Sequence, residues 1–167
     1  MTEPDLTLAN ATLIDGTGRP PVEHAVVQIE GQDISLTGSK EEGCPDAETV
    51  LDLEGRTLMP GLIDAHVHTH AAYTEPDGYL YDLARTAMLA ARRAELALEN
   101  GITTMRDAGA QRGISTALKL QTEQGVIIGS RIVPCGHIIA VTGGHGWKRS
   151  GTEADGPYGL RRQVREE

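Results

Sequence analysis

The chain contains no phenylalanine, and its one tryptophan and four tyrosines bring aromatics to only 3% of 167 residues. Any core must be filled by aliphatic side chains, and a hydrophobic content of 39% is enough to fill one. Cysteine is scarce as well. Cys44 and Cys135 stand far apart and match no Cys–Cys or Cys–His zinc pattern, so free thiols in a reducing, cytoplasmic setting are expected. No apolar run approaches the roughly 18 residues of a membrane helix. The start, MTEPDLTLAN, has neither the basic nor the apolar region of a secretion signal. Positive charge is also short: 15 basic residues against 24 acidic ones leave a net charge of −9. Nucleic-acid affinity comes from Lys and Arg neutralising phosphates, so neither nucleic acid nor membrane is an expected partner. Glycine is abundant, at 20 residues, which suits many short elements joined by tight turns.

The first sixty residues read as short strands. Leu6 to Ile14 is β-prone and ends at Asp15-Gly16. Ala25 to Glu30 and Ile34 to Thr37 flank Gly31-Gln32-Asp33 and predict a hairpin. Val50 to Leu53 and Thr57 to Met59 flank a further turn, Glu54-Gly55-Arg56. The pattern then changes. Leu80, Leu83, Ala87, Ala91, Ala94 and Leu98 have the spacing of a one-sided helix that stops at Asn100-Gly101. Ile102 to Arg106 predicts a strand, Gly113 to Gln124 a helix, and Arg131 to Cys135 a strand, with Val126 to Ile128 as an extra β piece before it. Residues 142–151 read as a Gly-rich loop, and a last helix starts near Asp155 with Pro157 in its first turn. Strands alternating with helices after residue 62 predict an α/β fold with a parallel sheet or barrel.

The stretch Met59-Pro60-Gly61-Leu62-Ile63-Asp64-Ala65-His66-Val67-His68-Thr69-His70 carries the chemistry. As a strand it places Ile63, Ala65 and Val67 on one face, all apolar, and Leu62, Asp64, His66 and His68 on the other. Desolvating an Asp and two His without partners would cost several kcal/mol. A divalent cation would supply the partner, since imidazoles at i and i+2 reach a common ion. The competing reading of a bare His-x-His is an exposed pair; the apolar opposite face and the Pro-Gly turn argue for metal.

PGLIDAHVH resembles the first-strand signature of the amidohydrolase superfamily, metal-dependent hydrolases built on a TIM barrel. LEGRTLMPG is similar to the end of that family's N-terminal sandwich segment. GITTMRDAGA resembles its second strand. RIVPCGHIIAVTGGHGW resembles the third-strand region of the imidazolonepropionase-like and dipeptidase branch. The resemblance implies a small β-sandwich segment over residues 1–61 and about three βα units of a (β/α)8 barrel over 62–167. It implies metal ligation by His66 and His68, with one or two Zn2+ ions in the complete enzyme. It further implies a metal-bridging Lys on the fourth strand, one His on each of strands five and six, and an Asp on strand eight as general base. A metal-activated water would then attack an amide, lactam or dipeptide carbon–nitrogen bond of a small-molecule substrate. Such a barrel takes about 250 residues, and 106 follow Gly61. The later ligands and the base are therefore expected beyond Glu167, no catalytic residue is assigned within the chain, and an N-terminal fragment is expected.

Other residues carry less. His70 continues the inward parity and is a candidate substrate contact, as is His145 in Gly143-Gly144-His145-Gly146, each weighed against an exposed loop histidine. Trp147 would wall a pocket or cover a helix. His137 reads as a packed or hydrogen-bonded residue, and Asp107 ends a strand at the presumed active-site face, weighed against a helix cap or a neighbour of Arg106. Three functions stay open: a hydrolase of carbon–nitrogen bonds, a truncated non-catalytic homologue with at most a weak metal site, and a phosphotriester-cleaving or deaminating member of the same superfamily. Homo-oligomerisation of the complete enzyme also stays open.

Overall fold

A computed structural model describes residues 5–39, 48–70, 83–145 and 151–166. It divides into two compact units, one ending at Pro60 and the other starting at Gly61. The fold is mixed α/β, and no helix among the described residues is long and apolar enough to cross a membrane.

The first unit holds β1 (Leu6–Leu13), β2 (Val22–Glu30), β3 (Asp33–Ser39), β4 (Thr49–Asp52) and β5 (Thr57–Leu58). They form one sheet in the order β3-β2-β1-β4, with β5 also on β1. The β2–β3 pair is the expected antiparallel hairpin. The segments around Glu54-Gly55-Arg56 do not pair with each other. β4 and then β5 run parallel to successive halves of β1. The switch falls where β1 breaks register between Leu8 and Ala11 and Asn10 takes a φ of 56°. There the Asp52 carboxylate accepts from Asn10 Nδ2 at 3.0 Å and from the Glu54 amide at 2.7 Å. Among the described residues this unit is a single sheet.

The second unit holds β6 (Leu62–Val67), α1 (Leu83–Glu99), β7 (Ile102–Asp107), α2 (Ile114–Glu123) and β8 (Arg131–Pro134). After these come β9 (Ile138–Ala140), β10 (Gly151–Glu153) and α3 (Gly156–Glu166). β6, β7 and β8 form a parallel sheet in that order, with α1 and α2 as crossovers. Ala90 and Ala94 of α1, Met105 of β7, Ala110, Ile114 and Leu118 of α2 and Ile132 of β8 make the core.

The buried face of α1 differs from the expected stripe. Thr86, Ala90 and Ala94 are buried, whereas Leu83 is 44% exposed; the expected position Leu80 lies outside the described residues. The reason is close approach. The Ser130 amide donates to the Ala94 carbonyl at 3.0 Å, and a Cβ on Gly129 would meet the Ala94 Cβ at 3.0 Å. Only the smallest side chains let the chain before β8 reach the helix backbone. Asn100-Gly101 does end the helix: Gly101 takes a φ of 84°, and Asn100 Nδ2 donates to the Leu96 carbonyl at 2.7 Å.

The opposite face of β6 also departs from expectation. Val67 packs on the core, but Ile63 is 71% exposed and Ala65 is exposed. β6 is an edge strand among the described residues, and its ladder with β7 shifts register between Leu62 and Ile63 and again between Asp64 and Val67. Val126 to Ile128 is not a strand; the Val126 and Ile127 amides instead donate to the Gln121 carbonyl behind α2. Within the expected Gly-rich loop, Gly151 begins β10, which pairs parallel with β9. Asp155 precedes α3, and its carboxylate accepts the Thr142 amide at 3.1 Å and the Thr142 hydroxyl. These two bonds hold its pKa below the ordinary carboxylate value.

Candidate metal site

The carboxyl ends of β6 and β7 are tied together. The Ala108 amide donates to the Val67 carbonyl at 2.8 Å, and the Cys135 amide after β8 donates to the Asp107 carbonyl at 3.2 Å. His66 and His68 emerge at this end. Their ring centroids lie 5.3 Å apart with the planes near perpendicular, at 87°. Both imidazoles therefore stand on one side of the strand, although the register shift interrupts the alternation around them. The Asp64 carboxylate turns back to accept the His66 amide at 3.1 Å. His66 is exposed and His68 half-buried.

His68 has a defined partner. Its Nδ1 lies 3.1 Å from the Gly109 carbonyl oxygen. A carbonyl only accepts, so in the neutral ring Nδ1 carries the proton and Nε2 keeps its lone pair. Metal-bound histidines commonly use one ring nitrogen in this way while the other binds the ion. His66 and His68 thus fit one part of a divalent-cation site.

His70 neighbours His68. It is buried, its ring centroid is 6.1 Å from that of His68, and its Nδ1 has no hydrogen-bond partner among the described residues. Burial lowers its pKa; the Asp107 carboxylate opposes that shift, while His68 and Arg93 add to it. His70 is packed against the site, not presented to solvent. His145 is exposed, and among the described residues no hydrogen bond or ring contact joins it to His66 or His68. His137 accepts the Arg112 amide at 3.1 Å, in line with a hydrogen-bonded residue. Trp147 lies outside the described residues, as does Cys44. No cluster of three or more His, Cys, Asp or Glu placed to hold a metal occurs among the described residues.

Of the residues that brace this pair the sequence offered only Asp107, as a strand end weighed against a helix cap, and it pointed to neither Thr69 nor Arg93. Asp107 is fully buried and accepts from the amide and hydroxyl of Thr69 and from the Gly109 amide at 2.9 Å. Arg93 of α1 donates Nη1 to the Thr69 carbonyl at 2.7 Å. A Thr directly after the second histidine, and an Asp closing the neighbouring strand, were the available signals. Only the β6–β7 register brings them together.

The sequence profile described as the amidohydrolase family matches residues 57–167. An adenine deaminase of Desulfatibacillum aliphaticivorans is 36% identical over 93 residues, which cover 56% of this chain and 15% of that protein. Among solved structures, a Xaa-Pro dipeptidase with bound methionine superposes with a TM-score of 0.83 at 26% identity, covering 96% of this chain and 43% of that one. A prolidase complexed with N-methylphosphonate-L-proline gives a TM-score of 0.79 at 29% identity, covering 97% of this chain and 43% of that one. The chain spans less than half the length of each of these proteins.

Proposed function

Because the chain belongs to the amidohydrolase family, we propose that it carries the first pair of ligands of a metal-dependent hydrolase of carbon–nitrogen bonds, with amide, lactam or dipeptide substrates. The observation that carries this reading is the His66–His68 pair: two imidazoles on one side of a parallel strand at its carboxyl end, one of them with Nδ1 tied to the Gly109 carbonyl. β6, β7 and β8 with their two crossovers are read as the opening strands of a (β/α)8 barrel, whose active sites lie at that end of the strands. The first unit is read as part of a β-sandwich.

His68 would offer Nε2 and His66 its ring beside it. Zinc suits imidazole ligands, and when bound a divalent cation acidifies water and polarises a carbonyl. Catalytic zinc generally takes more than a pair of protein ligands, so further ligands and the general base are expected outside the described residues. The dipeptide class is favoured by the solved Xaa-Pro dipeptidase and prolidase, which superpose on nearly the whole chain. A second reading, a non-catalytic homologue with at most a weak metal site, is favoured by the absence of a third grouped ligand among the described residues.

The test is zinc titration by calorimetry of wild type and the His66→Ala/His68→Ala double variant. The zinc-loaded wild type is then assayed against Xaa-Pro dipeptides, N-acyl amino acids and adenine. Turnover of the dipeptides or acyl amino acids supports the hydrolase. Turnover of adenine alone replaces it with a deaminase. Histidine-dependent zinc binding without turnover of any of them supports the second reading. Equal zinc binding by both proteins overturns the assignment of His66 and His68 as ligands and, without turnover, leaves only the non-catalytic homologue.

A further inference from the structure

The acceptor that holds His68 belongs to the loop after β7, and one buried side chain organises that loop together with the end of β6. Asp107 is 0% exposed. Its Oδ2 accepts the Thr69 amide at 3.0 Å and the Thr69 hydroxyl, while its Oδ1 accepts the Gly109 amide at 2.9 Å. Thr69 directly follows His68 in the chain. Gly109 supplies the carbonyl that accepts His68 Nδ1–H. The same carboxylate therefore fixes the backbone that carries the imidazole and the group that orients its ring. Gly109 itself leaves little latitude: its φ is 136°, and Ile138 occupies the place a Cβ would take. Arg93 completes the clamp by holding the Thr69 carbonyl from α1.

We propose that Asp107 is a positioning residue for His68, acting through Thr69 and Gly109 to hold the ring in its Nδ1–H form with Nε2 presented. This rests on the reading of His68 as a metal ligand. A staple that merely joined β6 to β7 would hold the strands together without selecting a ring tautomer. The Asp107 arrangement does select one, because Gly109 N–H is fixed by the carboxylate while Gly109 C=O faces Nδ1. Loss of the carboxylate or of the Thr69 hydroxyl should free the loop, relax the Nδ1–H bond and allow the proton to move to Nε2, where it blocks the lone pair a cation needs. Outer groups that orient a ligating histidine in this way are typically worth about 10–100-fold in metal affinity.

The experiment reads the imidazole nitrogens of the 15N-labelled chain by NMR and zinc affinity by titration. It compares wild type with Thr69→Val, Thr69→Ser and Asp107→Asn. Thr69→Val keeps the side-chain shape and removes only the hydroxyl; Thr69→Ser restores it. Wild type and Thr69→Ser should show His68 as the Nδ1–H tautomer. Thr69→Val and Asp107→Asn should shift it toward Nε2–H and lose about 10–100-fold in zinc affinity. If Asp107→Asn fails to fold, the Thr69→Val and Thr69→Ser pair decides. An unchanged tautomer in folded Thr69→Val overturns the proposal. A tautomer shift seen while zinc binding is indifferent to His66→Ala/His68→Ala upholds the positioning role and overturns the ligand reading on which its purpose rests.

Discussion

Gly129→Ala tests the packing that sets α1 on the sheet. An added Cβ would lie 3.0 Å from the Ala94 Cβ, 3.1 Å from its carbonyl carbon and 3.3 Å from its carbonyl oxygen. Carbon–carbon contacts prefer about 3.5–4.0 Å, so helix and loop must separate by a few tenths of an ångström. They resist, because the Ser130 amide is bonded to the same Ala94 carbonyl at 3.0 Å. Overpacking of this kind costs about 1–3 kcal/mol, and a conflict this small belongs in the lower half of that range. At about 4–8 °C per kcal/mol for a domain of roughly 100 residues, a cost of about 1–2 kcal/mol should lower the melting temperature by about 4–16 °C. Thermal melts followed by far-UV circular dichroism read this directly. Ala94→Gly alone should cost about 1 kcal/mol through helix propensity. Combined with Gly129→Ala it moves the Cβ from one side of the contact to the other, so the pair should recover about 1 kcal/mol relative to additivity. Melting of Gly129→Ala at the wild-type temperature, or an additive cycle, would refute the reasoning. The consequence reaches the site, since Arg93 beside Ala94 holds the Thr69 carbonyl.

Two further outcomes follow from the titrating groups. His70 has a folded pKa below its unfolded value near 6.5 because it is buried; the unfolded chain therefore binds the proton first, stability is full above that value, and it declines as pH falls through it. Urea midpoints measured from about pH 8 to 5.5 should drop more steeply for wild type than for His70→Phe, and equal slopes would contradict this. Asp155 is held below its ordinary pKa by the Thr142 hydroxyl and amide; Thr142→Val should raise it, and carboxylate carbon NMR across the acid range will show a higher midpoint unless those bonds are absent in solution.

Much of the order of elements was legible. Apolar strands and amphipathic helices, the first stopping at Asn100-Gly101 and the second at Gln124, read as β-α-β-α-β, and the parallel sheet β6-β7-β8 with α1 and α2 between its strands has that order. The His66–His68 pairing was legible too, since spacing by two sends both rings to one side. The errors have physical causes. A periodicity argument weights leucine, so it placed Ala94 on the inward stripe but missed that α1 also turns Thr86 and Ala90 inward, on a face where close approach matters more than transfer energy. β10 is a three-residue strand, too short for an alternating pattern to show. Asp107-Ala108-Gly109 resembles an ordinary turn, and its role depends on Thr69, 38 residues away. A partner supplied by sheet register leaves no local trace in composition or period.

The most direct measurement is X-ray absorption at the zinc edge of the zinc-loaded chain, compared with His66→Ala, His68→Ala and the double variant. The outer-shell scattering of imidazole counts the histidines on the ion. Two are expected in wild type, one in each single variant and none in the double variant. Imidazole scattering that persists unchanged in the double variant would place zinc elsewhere and contradict the assignment of His66 and His68 as a metal-binding pair.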